Sequence, residues 1–284
     1  PRSTPLYSSA ASDVYKRQQG LVPPVEDQVG GYPVGPVAAL LLVGKRLGYG
    51  LLLWLCWATP ASAAVDAADY DAFWLWSGVK TQPVLGQART LYLLQGQISR
   101  SRRHPASGVQ LIAQGLPVSR LHQEQVWVVY RAHTLAWPEP LYDQLLGQVR
   151  RWQATGTQVV GIQIDFDSST HDLERYGHFL HDLRQRLPAH YRLSSTGLMD
   201  WGSNADPQAI AQLKGVVDEV VVQTYQGRRS IPNYASYLPR LDRMGLPYKV
   251  GLIQGGEWQE PQALRDSPWF KGYVVFLQNP QSGP

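Results

Sequence analysis

Asp165 and Asp167 stand one residue apart at the end of the apolar run "GIQIDFDSST", Gly161 to Thr170. Residues two apart on a strand face the same way. Gly161, Gln163, Asp165 and Asp167 therefore share one face, and Ile162, Ile164 and Phe166 share the other. Two neighbouring carboxyls resist losing both protons, so one of such a pair stays protonated near neutral pH, as a general acid for glycoside cleavage must. The other can orient a nucleophile or stabilise positive charge. Asp167 is read as the proton donor and Asp165 as the group that holds the substrate's reacting centre. The plainer alternatives are that the acids cap the next helix or pair with arginines. Ser168 and Ser169 are better placed to cap, and burying two acids for stability alone is costly.

A sugar site also needs flat apolar surfaces for ring faces and amides for hydroxyls. Trp76, Trp137, Trp201, Tyr225 and Trp258 each stand at or just beyond a strand-like run, and Gln95, Gln223, Gln254 and Gln278 stand at the ends of others. For any single Trp, core packing is an equal alternative; the distribution as a set favours a groove. His133 is a further candidate there, or else a packed or solvated histidine. His171, His178 and His181 lie on or near one helical pattern without an H-E-x-x-H spacing. No P-loop, dinucleotide-binding glycine motif or G-x-S-x-G elbow is present, so no metal and no cofactor are expected.

The elements that must carry these residues recur along the chain. Eight apolar or β-branched runs end in polar or aromatic residues: "AFWLWSG", "TLYLLQGQI", "VWVVYRAH", "VVGIQIDFD", "YRLSSTGL", "DEVVVQTYQ", "YKVGLIQGG" and "GYVVFLQNP". Helical patterns separate the later ones, at Glu139–Ala154, Leu173–Leu187, Pro207–Val216 and Tyr234–Met244. Strands alternating with helices imply parallel pairing. Eight units predict a (β/α)8 TIM-type barrel of the glycoside-hydrolase kind, with the site at the C-terminal ends of its strands. The segment Ser107–Glu124 reads as a hairpin insertion or a helix. Only "QSGP" follows the eighth run, so the last helix is expected to be missing.

Residues 64–284 are expected to form this single domain. Ser8–Gln18 reads as a translated sequencing-library adaptor, which sets residues 1–18 aside as an artefact. Residues 19–42, rich in proline and glycine, read as an upstream or disordered segment. Residues 43–63 have the three parts of a signal peptide in order. These are basic Lys45 and Arg46, an apolar core too short to span a bilayer, and Ala61-Ser62-Ala63. Export to the periplasm or beyond, with cleavage near Ala63–Ala64 and no stable membrane span afterwards, is the expectation. Cys56 is the only cysteine and would leave with the signal, so disulfides and thiolate chemistry are excluded from the remainder. Lys and Arg exceed Asp and Glu by 4 over the chain, an excess too small to point to an acidic partner. The one dense basic cluster, Ser99–His104, lacks an aromatic platform and reads as a solvated loop rather than a nucleic-acid site. The expected partner is a carbohydrate substrate or ligand.

"GIQIDFD" resembles the fourth-strand signature of family 18, chitinase-like glycoside hydrolases, D-G-x-D-x-D-x-E. Gly161 matches the glycine and Asp165 the last aspartate. Gln163 replaces the aspartate between them, and Asp167 stands at the catalytic glutamate. "VVVQTYQ" is similar to that family's sixth strand: Tyr225 matches, and Gln226 replaces the following aspartate. The resemblance implies a barrel acting on amino-sugar glycans, with the substrate's own N-acetyl group as nucleophile. "DAFWLWSGVKTQPVL", "TLYLLQGQI" and "IQIDFDSST" resemble more closely a bacterial family, domain-of-unknown-function family 3142, which implies no established activity. Asp167 is one methylene shorter than glutamate, which sets its carboxyl back by roughly 1.5 Å; a misplacement of that order costs about 100-fold in rate. The alternatives from another class are a non-catalytic carbohydrate-binding barrel and a partner in an envelope polysaccharide system.

Overall fold

The computed structural model describes residues 63–76, 78–100 and 108–279. The adaptor-like stretch, residues 19–42, all of the expected signal peptide before Ala63, Cys56, most of the basic cluster and the chain from Pro280 onward lie outside the described residues.

Eight strands close a parallel barrel. They are β1 (Ala72–Leu75), β2 (Thr90–Arg100), β3 (Gln125–Ala132), β4 (Val159–Asp165), β5 (Arg192–Leu198), β6 (Glu219–Gln223), β7 (Tyr248–Ile253) and β8 (Phe270–Phe276). Each pairs with its sequence neighbours, and β8 pairs with β1 to complete the ring. All eight predicted runs are therefore barrel strands. Among the described residues five connections carry α-helices: α1 (Glu139–Ala154), α2 (Leu173–Arg186), the short pair α3 (Trp201–Asn204) and α4 (Pro207–Ala211), α5 (Tyr234–Tyr237) continuing as a 3-10 helix Leu238–Met244, and α6 (Gln262–Arg265). The helical pattern 234–244 changes pitch at this point because Pro239, in the first turn of the 3-10 helix, has no N–H for an i→i−4 bond. Of the two readings of segment 107–124, its described residues, 108–124, bear out the hairpin, with β2 as the other arm. Val109–Ala113 runs antiparallel to the upper half of β2, and the chain returns across the strand at Gly115. There φ is +89°, and a Cβ would lie 1.7 Å from the Leu94 carbonyl oxygen.

β4 shows why the polar face points inward. Ile162 and Ile164 are sealed against the helix layer, where α1 contributes Leu145, Val149 and Trp152 and α2 contributes Tyr176, Leu180 and Leu183. On the opposite face Gly161 lets β5 and Trp127 approach, since a Cβ would meet the Arg192 carbonyl oxygen at 2.1 Å and the Trp127 ring at 2.8 Å. The barrel interior is a separate aromatic cluster that includes Trp74, Tyr92, Trp127 and Phe276, with Trp76 and Tyr225 packed against it. Tyr92 and Trp127 stack at 5.7 Å.

The start of the strands is closed by a paired polar network. The Tyr92 hydroxyl donates to Glu219 Oε1 at 2.6 Å, and Lys249 Nζ lies 3.3 Å from Glu219 Oε2. Each charge here has a partner, as burial demands. This network anchors the end opposite the candidate site.

Candidate functional site

Three neighbouring strands bring the chemistry together at their C-terminal ends. Arg131 on β3 is in register with Asp165 on β4. Its guanidinium grips both acids: Nη1 lies 3.0 Å from Asp165 Oδ2, and Nη2 lies 2.9 Å from Asp167 Oδ2. Thr196 on β5 donates its hydroxyl to Asp165 Oδ1 at 3.1 Å and accepts the Phe166 N–H at 3.2 Å. Both Asp165 oxygens are thus engaged. Its side chain is 0% exposed, against 17% for Asp167 and 23% for Arg131, so Asp167 is the acid a ligand can reach.

Burial pushes the Asp165 carboxyl up to about 6; the Arg131 guanidinium opposes the rise and the Asp167 charge adds to it. The same two carboxylates, Asp165 foremost, raise Arg131 above its ordinary value. The sequence reading gave the retained proton to Asp167. In the structure burial acts on Asp165, and Asp167 is held by Arg131. The alternative in which the acids pair with an arginine describes the resting geometry.

Aromatic rings wall the site. Trp74, Trp76 and Phe276 pack edge-on or tilted at 5.7–6.1 Å, and Tyr225 lies 5.6 Å from Phe276. The Arg131 guanidinium sits 5.4 Å from the Trp76 ring centre and takes one of its faces. The Tyr225 hydroxyl is buried without a hydrogen-bond partner. Burial, and then the charge of Asp165, push it well up. An unsatisfied hydroxyl beside two acids and an arginine is a group a ligand can use.

The other expected residues divide. Gln163 is buried below Asp165; its Nε2 donates to Ser194 Oγ at 2.9 Å, and its Oε1 has no partner. Gln223 and Gln226 are half-buried on either side of Thr224. Gln254 and Gln278 lace loops together. Gln254 donates to Gln82 Oε1 and accepts the Gln278 N–H, each at 2.9 Å, while Gln278 Oε1 accepts from Arg228 Nε at 2.9 Å. Gln95 is spent likewise, accepting from Gln148 and Trp152 beneath the hairpin.

Three tryptophans expected in the groove are packed in the helix layer instead. Trp137 lies against Phe179 and donates to the Thr134 carbonyl at 2.7 Å. Trp201 lies against Tyr176 and donates to the Ser168 carbonyl at 3.0 Å, which fixes the loop after β4. Trp258 stacks on Tyr234. Folding back over the helices buries most of the indole, where standing at the mouth would leave more of it wet. Sequence reasoning missed Arg131, Thr196, Trp74 and Phe276. Their signal was parity, because Arg131 follows Trp127 and Val129 on the inward face of its strand.

Among the described residues no group of three or more His, Cys, Asp or Glu is placed to hold a metal ion, and no helix is long and apolar enough to cross a membrane.

Solved structures similar to this chain include the spore cortex-lytic enzyme SleL of Bacillus cereus, at 17% identity and TM-score 0.41 over 64% of this chain and 49% of that one. The chain thus spans about half the length of that enzyme. The chitinase domain of the spore coat protein CotE from Clostridium difficile is similar at 14% identity and TM-score 0.44, over 70% and 68% of the two chains. A tamarind chitinase-like lectin is similar at 12% identity and TM-score 0.44, over 72% and 92%. No curated protein matches the chain. Residues 136–231, which carry Asp165, Asp167, Thr196 and Tyr225, match the family described as Domain of unknown function (DUF3142).

Proposed function

We propose that the barrel mouth binds a glycan and that Asp165 and Asp167 act there as the acid pair of a glycoside-hydrolase-like reaction. The observation that carries this reading is the asymmetry of the pair. One carboxyl is sealed at 0% exposure at the end of β4, and its neighbour two residues on is partly open near Arg131, which lies over Trp76. Asp167, paired with Arg131 at rest, takes up a proton as the glycan binds and gives it to the glycosidic oxygen; the bond from that oxygen to the anomeric carbon breaks, and its electron pair stays on the oxygen. Water then adds at the anomeric carbon and returns its proton to the carboxylate. Asp165 stands behind, where its charge acts on Asp167 and on the positive charge that develops in the sugar. A polysaccharide or amino-sugar glycan fits the mixture of rings and acids. The reading includes export, with Ala64 as the first residue after signal removal.

One observation favours a second reading, glycan binding without turnover: Arg131 occupies both acids at rest. A polysaccharide hydrolysis screen, run beside Asp167→Asn and a glycan-binding array, separates the two. Hydrolysis that drops about 100-fold or more in Asp167→Asn, the scale of general acid catalysis, supports the first. Binding that survives the substitution with no turnover in either protein supports the second. Equal hydrolysis by both proteins removes Asp167 from the chemistry.

A further inference from the structure

Arg131 lies at the centre of the site, and the acid-pair reaction gives it no role. It reaches across from β3, lays its guanidinium on Trp76 and sends one prong to each acid, at 3.0 and 2.9 Å. A planar fork fixes two oxygens at once, which a lysine's single point charge does not. The two bonded oxygens belong to different residues, so the grip sets the orientation of one carboxylate relative to the other. Asp165 is also held by Thr196, whereas the hold on Asp167 is that of Arg131. We infer that Arg131 is the positioning residue of the acid pair: its two-pronged grip fixes where Asp167 presents its carboxylate and keeps the two acids acting as one unit. The inference rests on the glycan-site reading only for the identity of the ligand.

The grip has an electrostatic consequence that packing alone lacks. The groups that face Asp165 are Arg131 from β3, Asp167 beyond its own strand, the Thr196 hydroxyl from β5, Tyr225 after β6 and Tyr176 from α2. Arg131 is the one cation among them, and it favours the charged form of Asp165. Its removal leaves two carboxylates with no counter-charge between them.

Carboxyl NMR titration of Asp165 in the full chain tests this without any glycan. In Arg131→Gln the proton dissociation constant of Asp165 is expected to fall by at least about 10-fold, the low end for loss of an opposite charge at this distance. In Arg131→Lys it is expected to stay within about 3-fold of wild type, because the charge remains, while the Asp167 carboxyl signal moves because the fork is lost. If Arg131→Gln does not fold, the lysine variant alone decides. An unmoved Asp167 signal in a folded lysine variant overturns the inference, as does an unmoved Asp165 titration in a folded glutamine variant. On any glycan that the wild type binds or cleaves, Arg131→Lys is expected to shift the pH profile less than Arg131→Gln. A protein that binds no glycan yet shows these titrations would sink the proposed function and leave the role of Arg131 standing.

Discussion

Substituting Asp165 with asparagine isolates the energetic cost of the sealed acid. The side chain is 0% exposed and its carboxyl is raised from 3.8 to about 6 by burial. At neutral pH the charged form is therefore disfavoured by about 3 kcal/mol relative to the unfolded chain. The sign follows from proton counting. Between about pH 4 and pH 6 the folded protein binds more protons at this site than the unfolded one, so stability falls as pH rises through that window. Below it both states are protonated and the penalty vanishes; above it the penalty is complete. Asp165→Asn keeps the shape and removes the titration. The stability difference between variant and wild type should change by about 3 kcal/mol across the window, with wild type losing ground as pH rises. In urea, with a slope near 2 kcal/mol per molar, that is a relative shift of about 1.5 M in the midpoint. Asp182, held below the usual range by Arg186, and Glu260, held there by the Tyr273 hydroxyl and Arg265, act in the opposite direction. They are the same in both proteins and cancel in the difference. Loss of one Arg131 partner adds a constant offset, because Asp167 still holds the guanidinium at 2.9 Å. Urea midpoints of the two full chains that run parallel from pH 4 to pH 7 would refute the burial argument.

Tyr225→Phe deletes a buried hydroxyl that has no partner, so thermal unfolding should show equal or higher stability, by up to about 1 kcal/mol. Glycan affinity measured by calorimetry should fall if the ligand uses that hydroxyl. Trp76→Ala and Trp201→Ala should separate in the same two assays. Trp201, sealed against Tyr176 and bonded to the Ser168 carbonyl, should cost about 3–5 kcal/mol of stability; half-buried Trp76 should cost less stability and more affinity. Gly161→Ala should destabilise by about 3 kcal/mol in urea, since its Cβ would press on the Arg192 carbonyl at 2.1 Å.

The barrel was legible because its strands have two buried faces of different kinds. On β4 the outward Ile162 and Ile164 alternate with the inward Gln163 and Asp165, and no other simple packing gives acids on the face away from the helices. α1 and α2 were legible from spacing. The pattern 207–216 was longer than the helix it produced, which stops at Ala211, and Gly215 then turns the chain at φ +76°. What parity does not encode is register between strands. The inward direction of Arg131 could be read from Trp127 and Val129, yet its position opposite Asp165 exists only once β3 and β4 pair. The tryptophans failed for a related reason. The residue directly after a strand keeps the direction the pleat sets, as for Trp76 one position beyond Leu75, whereas Trp137, Trp201 and Trp258 stand three or five residues beyond their barrel strands. A residue beyond the barrel strand is free to fold back over the helix layer, where its indole is buried. Gln254 and Gln278 show the same limit for polar groups. An amide at a strand end serves ligand and neighbouring loop equally well, and the loops of β1, β7 and β8 come close enough to claim both. The pair Asp165 and Asp167 was found because one acid ends β4 and the other follows two residues on, a spacing local to the chain; the cation between them comes from the adjoining strand, and it changes what the acids can do at rest.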